Sequence, residues 1–151
     1  MKEQKEIISA LDDLIETLKD GQHGYKQAAE HVKDPKLQSL FRDYSEQRAR
    51  FVTALQSEAR KFGDDKPEDD SSAVGALHRG WIDLKSAFTG GDEHAILAEC
   101  ERGEDSAVEE FQKAVNDDLP PALQEVVSRQ YAEIKAAHDR IRELRDAFKT
   151  S

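Results

Sequence analysis

Cys100-Glu101-Arg102-Gly103-Glu104-Asp105-Ser106-Ala107 interrupts an apolar helical stripe running from Ile96 to Val115, with a glycine and an acid where the pattern asks for another hydrophobic residue. The same interruption recurs along the chain. It falls at Gly21-Gln22 between Leu18 and Tyr25, at Gln47-Arg48 between Tyr44 and Phe51, and at Gln130 and His138 among Val127, Ile134, Ile141 and Leu144. Four long amphipathic segments that each turn polar near the middle predict a helical bundle with a polar layer inside it.

Working outward, Ile7, Leu11, Leu14, Leu18, Gly21, Tyr25, Ala28 and Val32 advance in alternating steps of four and three, one face of a helix about 45 Å long. Lys33-Asp34-Pro35 ends it, with Asp34 placed to cap the helix that Pro35 opens. So short a turn forces an antiparallel hairpin. The second helix runs through Leu37, Phe41, Tyr44, Phe51, Leu55 and Phe62 to a glycine cap at Gly63. An acidic loop follows, and Val74, Leu77, Trp81, Leu84 and Phe88 mark a shorter crossover helix stopped at Gly90-Gly91, with Trp81 as its core anchor. The third long helix, from Glu93 to about Asn116, breaks at Asp117-Asp118-Leu119-Pro120-Pro121. The last presents Leu123, Val127, Ile134, Ala137, Ile141, Leu144 and Phe148. Two tight turns and one long connection, residues 63–91, predict an all-α, ferritin-like four-helix bundle in which helices two and three lie parallel, all within one domain spanning 1–151.

Composition narrows the function. With 32 acids against 22 Lys and Arg in 151 residues, a net charge of -10 speaks against nucleic acid or an anionic membrane as partner. No apolar run approaches the roughly 20 residues that span a bilayer, and the first residues carry no secretory pattern, so the expectation is a cytoplasmic protein. The lone Cys100 lies on the apolar stripe and reads as a small buried hydrophobe. No phosphate loop, dinucleotide fingerprint or nucleophilic triad is visible.

Ferritin-like carboxylate bundles converge one Glu from each of two helices and a Glu-x-x-His pair from each of the others on two cations. Laid on this chain, that pattern falls at Gln22, at Gln47 and Arg50, at Glu104, and at Lys135 and His138. Only Glu104 and His138 are competent ligands there, because Gln is a poor neutral donor and Arg and Lys bring positive charge. The leading expectation is therefore a degenerate site with no cofactor. Arg50 or Lys135 would stand where the metal stood and neutralise Glu104, and Gln22, Gln47 and His138 would complete a hydrogen-bonded core layer. The alternative keeps a single divalent metal on Glu104 and His138, joined by Glu101.

Leu-Ile-Glu-Thr-Leu-Lys-Asp-Gly (14–21), Ala-Leu-His-Arg-Gly-Trp (76–81), Leu-Ala-Glu-Cys-Glu-Arg-Gly-Glu-Asp (97–105) and Ala-Ala-His-Asp-Arg-Ile-Arg (136–142) give the chain a family likeness. It resembles the uncharacterised four-helix-bundle family of the ferritin-like superfamily, domain of unknown function 2383. The resemblance implies the ferritin-like fold and a bacterial cytoplasmic protein, and carries no activity. The expected function is a non-enzymatic binding or assembly module, with a homodimer or another protein as its partner. The competing expectation is a metal-binding or redox protein with a reduced site on the third and fourth helices.

Overall fold

A computed structural model of the chain describes residues 3–64 and 93–149. They form four helices, α1 (Gln4–His31), α2 (Pro35–Lys61), α3 (Glu93–Val115) and α4 (Pro121–Lys149), with no strand among the described residues. The expected crossover helix from Val74 to Phe88, Trp81 included, lies outside them.

Local chemistry sets the helix ends. Val32 leaves α1 with extended backbone, and Asp34 caps α2 by accepting the Lys36 N–H at 2.8 Å, one residue before Pro35 at the first helical position. At the far end of α2, Gly63 adopts φ 93°, and two bonds close the helix: Gly63 N–H to the Arg60 carbonyl at 3.1 Å, and Asp64 N–H to the Ala59 carbonyl at 3.2 Å. This is a Schellman ending, which only glycine enters without strain. Gly63→Ala is expected to cost about 1–2 kcal/mol from backbone conformation alone. The added Cβ would come within 2.8 Å of the Gln4 amide nitrogen, the far end of an exposed side chain that can move aside. Urea denaturation checks this, with an unchanged midpoint as the adverse result.

The helices pair as two hairpins, α1 with α2 and α3 with α4, and α1 packs on α3. Contact between α2 and α4 is sparser, and there the Gln130 amide reaches the Phe51 carbonyl at 3.4 Å. The Lys33 N–H donates to Glu93 Oε1 at 3.0 Å, tying the end of α1 to the start of α3, so α1 and α3 run antiparallel. Helices α2 and α3 then run parallel. Leu37 and Phe41 near the start of α2 share one core cluster with Ile96 and Leu97 near the start of α3. Leu55 and Ala59 share the other with Phe111 and Ala114.

The core is divided across its middle. One apolar cluster ends at Leu18, Val52, Ala107 and Ile134, and the other at Tyr25, Phe41, Cys100 and Ile141. Between them the chain supplies Gly21 from α1, Arg48 from α2 and Glu104 from α3, all buried, with Ala137 from α4. The interrupted stripes of α1, α2 and α3 meet here, at Gly21, Arg48 and Glu104.

Candidate functional site

At the centre, the Arg48 guanidinium donates from Nη1 to Glu104 Oε1 at 2.7 Å and from Nη2 to Oε2 at 2.6 Å. Both side chains are 0% exposed. The parallel fork engages both carboxylate oxygens, a geometry that arginine makes and lysine cannot. The remaining Nε–H donates to Gln47 Oε1 at 3.3 Å, and the guanidinium carbon stands 5.5 Å from the centroid of the Tyr25 ring. Tyr25 in turn packs on Phe41 and Tyr44, with centroids 5.8 and 5.3 Å away.

Gly21 makes room for this arrangement. A Cβ there would lie 3.1 Å from Arg48 Nη1, closer than an ordinary contact, so a side chain at that position would press on the guanidinium. Electrostatics follow the geometry. Burial opposes the charge on Arg48, but the adjacent Glu104 more than restores it and the pKa is raised. Burial first, and then the Glu104 charge, push both the Tyr25 phenol and the Cys100 thiol well above their usual values. Cys100 is thus held as an unreactive thiol, in keeping with its place on the apolar stripe.

The expected members of the layer distribute differently. Glu104 is at its centre; Gln47 touches it through Arg48; Gln22 is half-buried and its carbonyl accepts the Ser45 hydroxyl at 2.9 Å. Arg50 and Lys135 are exposed, and Lys135 lies 3.8 Å from Asp139 on the outer surface. The cation opposite Glu104 is therefore Arg48. Arg50 was expected from the ligand-pair spacing laid three residues beyond Gln47, although the interruption at Gln47-Arg48 already held the buried cation. The seam drawn through Phe51 and Phe62 also missed the interior, since both are only half-buried, whereas Val52 and Ala59 are buried. The spacing Phe41, Arg48, Val52, Leu55, Ala59 was the available signal, since it keeps the four-three rhythm with arginine on it.

His138 is not in the central layer. It sits at the edge of the α3–α4 seam, where Nε2 lies 2.6 Å from Asp105 Oδ1 and 3.9 Å from Glu101 Oε2, and Nδ1 lies 3.0 Å from Asp139 Oδ1. Arg145 pairs with the other oxygen of Glu101 and with Asp146. Asp105, which sequence reasoning passed over in favour of Glu104, thus joins Glu101 and His138. Its position one turn after Glu101 on α3 was the signal.

Partial burial works against the charged form of His138, but its bonds to Asp139 and Asp105 outweigh this and raise the pKa above 6.5. Asp139 moves the other way: its bond to His138, which outweighs a slight burial, lowers it below 3.8, with Lys135 and Arg142 adding to the effect. A raised imidazole contributes stability that is complete below its ordinary value and lost as pH rises through its folded value; a lowered carboxylate contributes stability lost as pH falls through its folded value. The seam cluster, with Glu101 and Asp105 facing from α3 and Asp139 from α4, is expected to be strongest between about pH 4 and 6.5. Thermal melts in chelator should decline above that window in the intact chain and decline less in His138→Gln. Identical pH profiles would contradict it.

Fold and site together define an all-helical four-helix-bundle protein whose centre is closed by a buried ion pair. The chain belongs to the family described as a domain of unknown function (DUF2383), whose model matches residues 6–117. That stretch holds Gly21, Arg48, Glu101, Glu104 and Asp105, while His138 and the rest of α4 lie beyond it. No curated protein matches the chain.

Proposed function

We propose that this chain is a non-enzymatic binding or assembly module, a ferritin-like bundle in which an internal arginine stands where such bundles hold metal. The observation that carries the reading is the fully buried Arg48–Glu104 fork. A two-metal carboxylate centre needs anionic oxygens and imidazoles from all four helices. Here the middle layer offers one carboxylate, a glycine, an alanine and a guanidinium whose positive charge lies against both carboxylate oxygens. The residues present do not fit that centre, and Coulomb repulsion from Arg48 opposes a cation there.

Catalysis at the centre has no other support: Glu104 is paired and sealed from solvent, and Cys100 beside it is held protonated. No helix among the described residues is long and apolar enough to cross a membrane. The acidic balance favours a protein partner or a second copy of the chain over nucleic acid. A cytoplasmic setting goes with this reading.

Two measurements test it. Ferrous iron supplied with oxygen should be oxidised no faster with the protein than in buffer, and sedimentation equilibrium across a range of concentrations should show self-association or, in the presence of a captured partner, a defined complex. Rapid iron oxidation that disappears in Glu104→Gln would overturn the reading.

A further inference from the structure

We propose that Glu101, Asp105 and His138 form a single divalent-cation site of the zinc class at the α3–α4 seam, separate from the central ion pair. One ligand atom from each of the three lies within 4.8 Å of the others. Metal–ligand distances of about 2.0–2.2 Å allow ligand atoms up to roughly 4 Å apart, so small side-chain rotations close the set on one ion. One imidazole and two carboxylates suit zinc and neighbouring first-row divalent ions better than calcium or magnesium, which prefer all-oxygen shells.

A second observation, outside the three ligands, points the same way. His138 Nδ1 is held by Asp139 at 3.0 Å, and the opposite nitrogen, Nε2, is directed at Asp105 and Glu101. A carboxylate on the far nitrogen is what orients a metal-binding histidine and raises its basicity. Arg145 occupies only Oε1 of Glu101, leaving Oε2 on the His138 side. Binding would replace the proton between His138 Nε2 and Asp105 Oδ1 with the ion and release it to solvent.

The ligands stand on two rigid helices, with Glu101 and Asp105 one turn apart on α3 and His138 opposite on α4. Glu104, between them in sequence, faces the other way into the core and takes no part. Two protein helices would thus be cross-linked by an ion that keeps at least one coordination position open.

The test is titration of the full, chelator-stripped chain with Zn2+ by calorimetry and with Co2+ by visible absorption. Uptake of about one ion per chain is expected, with cobalt bands of low-symmetry coordination including nitrogen. Asp105→Asn and His138→Gln should weaken zinc binding at least about 10-fold, and Asp139→Asn, which touches no ion, by about 10–100-fold. Glu109→Gln, an exposed acid one turn further along α3, should leave it unchanged. Asp105 is exposed at 59%, so its variant keeps the fold, and a melt in chelator verifies this. No saturable uptake, or equal affinity in the intact chain and in Asp105→Asn and His138→Gln, would overturn the proposal.

Discussion

Glu104→Gln, or Arg48→Met, is expected to destabilise the bundle by about 3–5 kcal/mol, because each leaves its former partner charged, buried and unpaired. The shape of the core hardly changes in either case. Glutamine keeps the volume of Glu104 but removes its charge and one acceptor, so one arm of the Arg48 fork loses its bond in a layer that excludes water. Methionine keeps the length of Arg48 but strands a buried carboxylate that has lost both of its guanidinium bonds. A loss of this size is a large part of the roughly 5–15 kcal/mol by which domains are stable. It should appear as a fall in Tm of roughly 6–20 °C for a chain of this size. Urea denaturation of each single variant checks it, and a loss under about 1 kcal/mol would show that the pair is not sealed from water.

Gly21→Val carries the next largest expected effect. A helix interior normally gains about 1 kcal/mol when glycine becomes alanine. Here even the first carbon lies 3.1 Å from Arg48 Nη1 and 3.6 Å from its Cγ. Arginine side chains usually yield to such contacts, but this one is pinned by two bonds to Glu104 and by the Tyr25 ring. Two further methyl groups must enter the space of the guanidinium or push α1 away from α2, an overpacking cost of about 1–3 kcal/mol. In an Arg48→Met background the penalty should shrink, because methionine bends where the fork cannot. Equal penalties in the two backgrounds would mean that Gly21 is needed for something other than room for Arg48.

The architecture was legible because it rests on long-range periodicity. The four-three rhythm of α1 from Ile7 to Val32, the Asp34-Pro35 start of α2 and the Gly63 stop are local signals, and α1 and α2 obey them. The polar layer was legible for the same reason at Gly21 and Glu104. On α2 the interruption at Gln47-Arg48 was legible too, but the ligand-pair spacing shifted the expected cation to Arg50, and aromatic residues on either side of a seam make two faces look equally apolar. Phe51 and Phe62 spread their bulk along the flank, while the smaller Val52 and Ala59 fill the interior. The spacing within α2 puts Arg48 on the buried seam, but that it meets Glu104 depends on how two helices distant in sequence pack. At the α3–α4 seam, His138 and Glu101 were named but Asp105, one turn after Glu101, was not: His138 pairs with the acid on α3 that faces it, and Glu104 points away.

Whether the ion pair is architectural is decided by the stability of the combined variant Arg48→Met with Glu104→Leu, set beside the two single variants Arg48→Met and Glu104→Leu. If the pair is an architectural element that fills the middle of the bundle, replacing both charges with apolar side chains removes the desolvation cost along with the bond. The combined variant should then lie within about 2 kcal/mol of the intact chain, or above it. If it is instead as unstable as the two single losses added together, the charges act independently of one another, and the account of the centre as a closed ion pair is contradicted.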